Sequence, residues 1–208
     1  MTEKLNLSKE IMRKLIHLAL LTLPFLYYNL GKWDFLIIIT PIATIVIALD
    51  YFRHKNTVVK AIFEKIFGVI LRQKEREIGQ FNGSSYAFGT AVLLALTCRE
   101  EIFVTAFVIL AICDSIASLV GTLIPSKPFF EKTIAGSAAF YLSGLLIIFF
   151  LGALFKTELW FYVFAVFSLF CTTIIEARPS LSRLDDNFSI PVSFAILMSS
   201  FDLIWNYL

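Results

Sequence analysis

Charge is scarce in this sequence. Only 16% of the 208 residues are Asp, Glu, Lys or Arg, against about 25% in ordinary soluble domains. Hydrophobic residues make up 58% and Phe alone numbers 22; the mean hydropathy is +0.80. A soluble globular domain could not hide this much apolar side chain, and a disordered chain would not carry it. An excess of one charge sign is also missing, with 18 basic against 16 acidic residues and a net charge of +2. That balance argues against nucleic acid as a partner, because such binding needs a basic surface. Cys98, Cys113 and Cys171 lie far apart, without metal-ligand spacing, and imply no disulfide framework. They read as small apolar residues. The basic-then-apolar N-terminal stretch ends in Tyr27, Tyr28, Asn29 and Leu30 with no small-x-small cleavage site. It is expected to stay as a membrane anchor. No internal repeat or low-complexity tract divides the chain, so residues 1–208 read as a single domain.

What is present is a series of long apolar runs, which points to lipid as the solvent. A bilayer-spanning helix needs about 20 mainly apolar residues. Seven candidates occur: Leu15–Leu30, Phe35–Phe52, a short one at Ser85–Thr97, Ile102–Ile124, Thr133–Phe155, Leu159–Ile175 and Ile190–Tyr207. The fold class expected is all-α, a polytopic integral membrane protein of about seven transmembrane helices. The one long connection, residues 57–77, spaces Val58, Ala61, Ile62, Ile66, Val69 and Ile70 as one helical face. It reads as an amphipathic helix lying on the membrane, with Lys60, Lys65, Arg72, Lys74 and Arg76 toward anionic head groups, or as a solvated helix with no lipid role. With the N-terminus placed in the cytoplasm and the spans alternating, 15 of the 18 basic residues fall on the inner side. Only Lys32, Arg99 and Lys156 fall outside. This bias predicts a cytoplasmic N-terminus.

Ionisable residues within or beside spans are costly, so each needs a reason. Glu10, one of Arg13 and Lys14, and His17 share a helix face at the start of the first span. They form either a phosphate or head-group clamp or an ordinary basic anchor. Asp114 lies about 15 Å inside the fourth span. A carboxylate at that depth implies a polar cavity or a hydrogen bond between helices, and small Ala111, Ser115 and Ala117 permit close helix approach. Lys132, Thr133 and Gly136 open the fifth span, either as an anion site at a helix N-terminus or as a snorkelling lysine beside a Thr cap. Glu176, Asp185, Asp186 and Asn187 gather on the inner side. These oxygen ligands suit magnesium, though an Asp/Asn helix cap is the other reading. Asp50 and Asp202, near span ends, read as interfacial. All four clusters fall on the cytoplasmic side. Together they suggest phosphoryl or nucleotidyl transfer to a membrane lipid, in which positioning and charge neutralisation dominate.

Four segments resemble those of the CTP-dependent lipid kinases, the family of dolichol kinase, phytol kinase and the yeast-type diacylglycerol kinase. These are EIMRKLIH (10–17), DSIASLVG (114–121), EKTIAGSAAF (131–140) and EARPSLSRLDDNFSIPV (176–192), in the family's order over nearly the whole chain. The resemblance implies transfer of the γ-phosphate of CTP, with magnesium or another divalent cation, to a polyprenol, a phytol-like alcohol or diacylglycerol. By position it implies catalytic roles for Asp114, Lys132 and Asp186. Nucleotide contacts would come from Arg13, Lys14, His17, Lys132, Thr133, Gly136 and Asn187, and metal contacts from Asp114, Glu176, Asp185 and Asp186. Ala135 stands where the family usually has Glu, Cys113 where Gly is common, and Ser118 where an acidic residue is frequent. Glu131 would then compensate for the missing Glu. The phosphatidate cytidylyltransferase signature, with its Lys-Asp and Gly-Gly-x-x-Asp-Arg elements, is absent, which makes nucleotidyl transfer the second reading. A carrier using Asp114 is the third. It would need charge lining a path to both faces, and here the polar set stops at one.

Overall fold

The computed structural model describes residues 17–67, 81–182 and 184–205. Within them every expected span coincides with a helix. α1 (Thr22–Leu30) follows a short 3-10 turn, Ala19–Leu21; α2 is Lys32–Phe52 and α3 is Thr57–Phe67. α4 is Gly83–Thr97. The fourth span is a single rod in three parts: α5 (Glu100–Val108), a π-helical turn at Ile109–Cys113, and α6 (Asp114–Leu123). A two-residue hairpin, β1 (Pro128–Phe129) and β2 (Lys132–Thr133), leads into α7 (Ile134–Phe155). α8 (Leu159–Ala177), the single turn α9 (Pro179–Ser182) and α10 (Asp186–Trp205) complete the order.

Among the described residues, four helices are long and apolar enough to cross a membrane: α2, the α5–α6 rod, α7 and α8. Ala19–Leu30 and α4 are shorter apolar helices. The rod is the axis of the bundle, being 67% buried where α7 is 28% buried. α7 and α8 pack in succession from α6, α10 lies against α8, α4 and α5, and α2 lies against α4. At the axis Tyr27 stacks on Phe103 with ring centroids 4.2 Å apart, and Phe35 meets both rings edge-on. The outer faces stay apolar: Trp33, Ile37, Leu146, Phe150 and Leu159 are all exposed. Water would penalise such a surface and lipid does not, so the chain is a membrane protein.

The helix ends follow local chemistry. Gly31 joins α1 to α2 in one residue at φ 77°, a conformation that costs glycine little. The Asn82 side chain accepts the Ser84 amide and caps α4. α10 starts about one turn before the expected Ile190 because Asp185 supplies its cap: its side chain accepts the Asn187 amide at 3.0 Å, and its carbonyl accepts those of Phe188 and Ser189. The surface segment is helical over Thr57–Phe67; its remainder, with Arg72, Lys74 and Arg76, lies outside the described residues.

Candidate functional site

Asp114 is the first residue after the π turn, and it is buried. A π turn rotates the chain less per residue than an α turn and disturbs the backbone ladder around it. Two side chains cover carbonyls of this turn. The Ser115 hydroxyl donates to the Ala111 carbonyl at 2.7 Å. His17 Nε2 lies 3.1 Å from the Leu110 carbonyl and 3.3 Å from Asp114 Oδ2. Both neighbours are acceptors, so Nε2 carries the proton. The His17 ring is thus on the Asp114 carboxylate. Arg13 and Lys14 lie outside the described residues.

The hairpin delivers Lys132. Its first loop residue, Phe130, sits at φ 53°, the sign that tight hairpin turns require but that costs a non-glycine residue about 1–2 kcal/mol. The Arg178 guanidinium lies 5.9 Å from the Phe130 ring centre. The Glu131 amide donates to the Ala177 carbonyl at 3.0 Å, and its carboxylate accepts the Ser180 hydroxyl. Glu131 therefore braces the hairpin against α9. Lys132 Nζ donates to Glu176 Oε1 at 2.8 Å, and Glu176 is almost fully buried. Burial works against the ammonium charge. The Glu176 carboxylate, reinforced by Asp186 and Asp114, outweighs it and holds Lys132 above the usual lysine range.

Beside this pair the α6–α7 crossing is made by two glycines. A Cβ on Gly136 would stand 3.0 Å from the Ala117 carbonyl and 3.4 Å from the Gly121 Cα. A cavity of about 220 Å³ lies here, lined by Ser118, Gly121, Lys132, Thr133, Gly136 and Glu176 among others. It is smaller than the roughly 300–1,000 Å³ of drug-sized pockets, and suits a phosphoryl group better than a whole nucleotide. The N-terminal donors of α7 are committed within the protein. The amides of Ile134, Ala135 and Gly136 go to the Lys127 carbonyl, the Ser126 hydroxyl and the Thr133 hydroxyl respectively. Thr133 is thus the cap of α7, and an anion here would rest on Lys132 and the helix macrodipole.

The two adjacent aspartates divide their work. Asp185 caps α10 and also accepts the Asn187 amide nitrogen Nδ2 at 2.6 Å. Asp186 is half-buried, and its charge acts on Lys132. The structure thus brings Asp114, Glu176 and Asp186 within electrostatic range of Lys132, with His17 on Asp114. No three His, Cys, Asp or Glu side chains among the described residues are grouped to hold a metal ion by themselves. Magnesium usually takes one or two carboxylates and completes its shell with phosphate oxygens and water. The donor set fits a magnesium–phosphate unit, not an all-protein cage.

Sequence reasoning missed the π turn, the Glu131 brace and a second buried polar centre. At that centre Asp50, fully buried, accepts Arg53 Nε at 2.6 Å, the Asn82 amide at 2.7 Å and the Ser85 hydroxyl at 2.5 Å. The spacing of Asp50 and Arg53, three residues apart on one helix, was a usable signal for the first of these contacts.

The chain is similar to an uncharacterized protein of Rickettsia prowazekii, RP860, with 29% identity over 98% of each chain. It is also similar to an uncharacterized protein of Methanocaldococcus jannaschii, MJ1137, with 28% identity over 92% of this chain and 93% of that one. No protein-family model matches the chain, and no solved structure does.

Proposed function

We propose that the protein is a membrane-embedded lipid kinase that transfers the γ-phosphate of CTP to the hydroxyl of a polyprenol, a phytol-like alcohol or diacylglycerol. In this reading the chain crosses the membrane seven times with its N-terminus in the cytoplasm, and the site faces the cytoplasm. The observation that carries it is the Lys132–Glu176 pair lining one small cavity, with Asp186 and the buried Asp114 acting on the same lysine. A lipid hydroxyl and a nucleotide phosphate must meet at such a membrane edge. The choice of CTP rests on the family resemblance.

Lys132 would hold phosphate oxygens, exchanging part of its contact with Glu176 for them. Asp114 would take the hydroxyl proton, and the His17 N–H would keep its carboxylate oriented. The alcohol oxygen then bonds to the γ-phosphorus while the bond to the β–γ bridging oxygen breaks and CDP leaves. Asp186, with Asp185 and Glu176 near it, would hold magnesium, which when bound neutralises phosphate charge. The test uses the purified full chain, a panel of lipid alcohols, and CTP or ATP labelled at the α or γ position. Transfer of γ label to lipid supports the kinase. With phosphatidic acid added to the panel, transfer of α label would mean nucleotidyl transfer to a lipid phosphate, and no labelled lipid from any acceptor would remove both readings.

A further inference from the structure

A second basic cavity, sharing no lining residue with the first, lies at the elbow between α2 and α3. Its volume is about 410 Å³, and Arg53, His54, Lys55, Thr57, Lys60 and Glu64 line it. Three cations face one lining carboxylate, with Asp50 behind Arg53 as the second negative charge. Arg53 is held in place: its Nε is on Asp50, and its guanidinium carbon lies 4.6 Å from the centre of the buried Phe63 ring. The ring comes from α3, so one buried arginine ties the surface helix to the bundle. Lys55 and Lys60 are exposed, and Lys60 has no ion pair among the described residues.

The rim of the cavity differs from its lining. Phe52, Val58 and Ile62 are large apolar side chains left exposed around the elbow, and the hydroxyl of the exposed Tyr51 accepts a hydrogen bond from Lys55 Nζ at 2.6 Å. Cations at head-group level beside apolar groups that reach the acyl region are the pattern of an interfacial helix. We infer that this elbow binds the phosphate head group of an anionic membrane lipid, with Lys55, Lys60 and Arg53 around the phosphate and the apolar rim against the acyl chains. Free phosphate would gain nothing from that rim, so the source is lipid. The inference does not depend on the kinase reading.

The test is native mass spectrometry of the full chain in a neutral detergent, titrated with phosphatidylglycerol or phosphatidylcholine. Phosphatidylglycerol adducts should exceed phosphatidylcholine adducts. Each basic residue near a membrane surface contributes about fivefold in binding, so Lys55→Ala/Lys60→Ala should weaken the phosphatidylglycerol adduct about 25-fold. Lys156→Ala, at the opposite end of the bundle, should leave it unchanged. Both elbow lysines are exposed, so the variant should fold; Lys55→Gln/Lys60→Gln serves as a second version. Equal retention of the two lipids, or full retention in both double variants, overturns the inference. So does displacement of phosphatidylglycerol by stoichiometric inorganic phosphate.

Discussion

Replacing Lys132 by Met removes the ammonium but keeps most of the side-chain volume. Glu176, 2% exposed, would then hold a carboxylate with its 2.8 Å partner gone. Breaking a buried ion pair from one side costs about 3–5 kcal/mol, because the remaining charge stays desolvated. The Lys132 side chain is 33% exposed, so the lower end, about 3 kcal/mol, applies. For a chain of this size each kcal/mol moves the melting temperature by about 2–4 °C. Lys132→Met should therefore melt about 6–12 °C below the parent, read by tryptophan fluorescence in detergent. Lys132→Met/Glu176→Gln removes the stranded charge and should recover much of the loss, giving a clear coupling energy in the double-mutant cycle. The pH arm has a definite sign. The Lys132 pKa is raised by folding, so its stabilisation is complete below the unfolded value of about 10.4 and disappears as pH rises through the higher folded value. The parent should lose stability in that alkaline window, and Lys132→Met should not lose this component. A Lys132→Met protein that melts with the parent, or a cycle whose two changes simply add, would refute the pairing.

Four further outcomes follow from the geometry. On the kinase proposal, Asp114→Asn should fold normally in detergent yet lose at least about 100-fold in lipid phosphorylation, the usual scale for a general base; near-normal turnover would make Asp114 a packing residue. Gly136→Ala pushes a methyl against the backbone of Ala117 and Gly121 and should cost about 1–3 kcal/mol. Gly144→Ala would put a methyl 2.5 Å from a terminal carbon of the fully buried Leu169 and should cost at least as much in a denaturation comparison, because the packed leucine must move; a Gly136→Ala protein as stable as the parent would refute the glycine crossing. Asp50→Ala strands Arg53 and should lower the melting temperature more than Asp50→Ala/Arg53→Met does. In a cysteine-free background, Ser180→Cys should react with a membrane-impermeant reagent only from the cytoplasmic side, and labelling from outside would remove both the proposed topology and the site.

The helices were legible because lipid forces long apolar runs, and two of their starts were marked by cap residues, Thr133 and the Asp/Asn run at Asp185. Lys132, Glu176 and Asp114 were legible as costly charges in apolar surroundings. The π turn was not, because one shifted turn leaves composition untouched and the apolar period almost unchanged. It nevertheless decides where Asp114 points, and it helps explain why His17 meets that carboxylate. The separate roles of Asp185 and Asp186 were hidden for a similar reason: adjacent residues on a helix start about 100° apart, and only the position of the helix start says which one caps. Asp50 was read as interfacial because two of its partners are 32 and 35 residues further along.

That separation imposes an order on biogenesis. Arg53 can pair with Asp50 as soon as the end of α2 is helical, since the two are three residues apart. The second carboxylate oxygen must wait for Asn82 and Ser85 to emerge from the ribosome. At about 5–20 residues per second that delay is a few seconds. During it, α2 sits at the membrane with a half-satisfied acid at its end, and neither side of the bilayer offers that acid a better partner than water. The arrival of α4 ends the wait, so α2 and α4 lock together only after the helix α3 between them has been laid down.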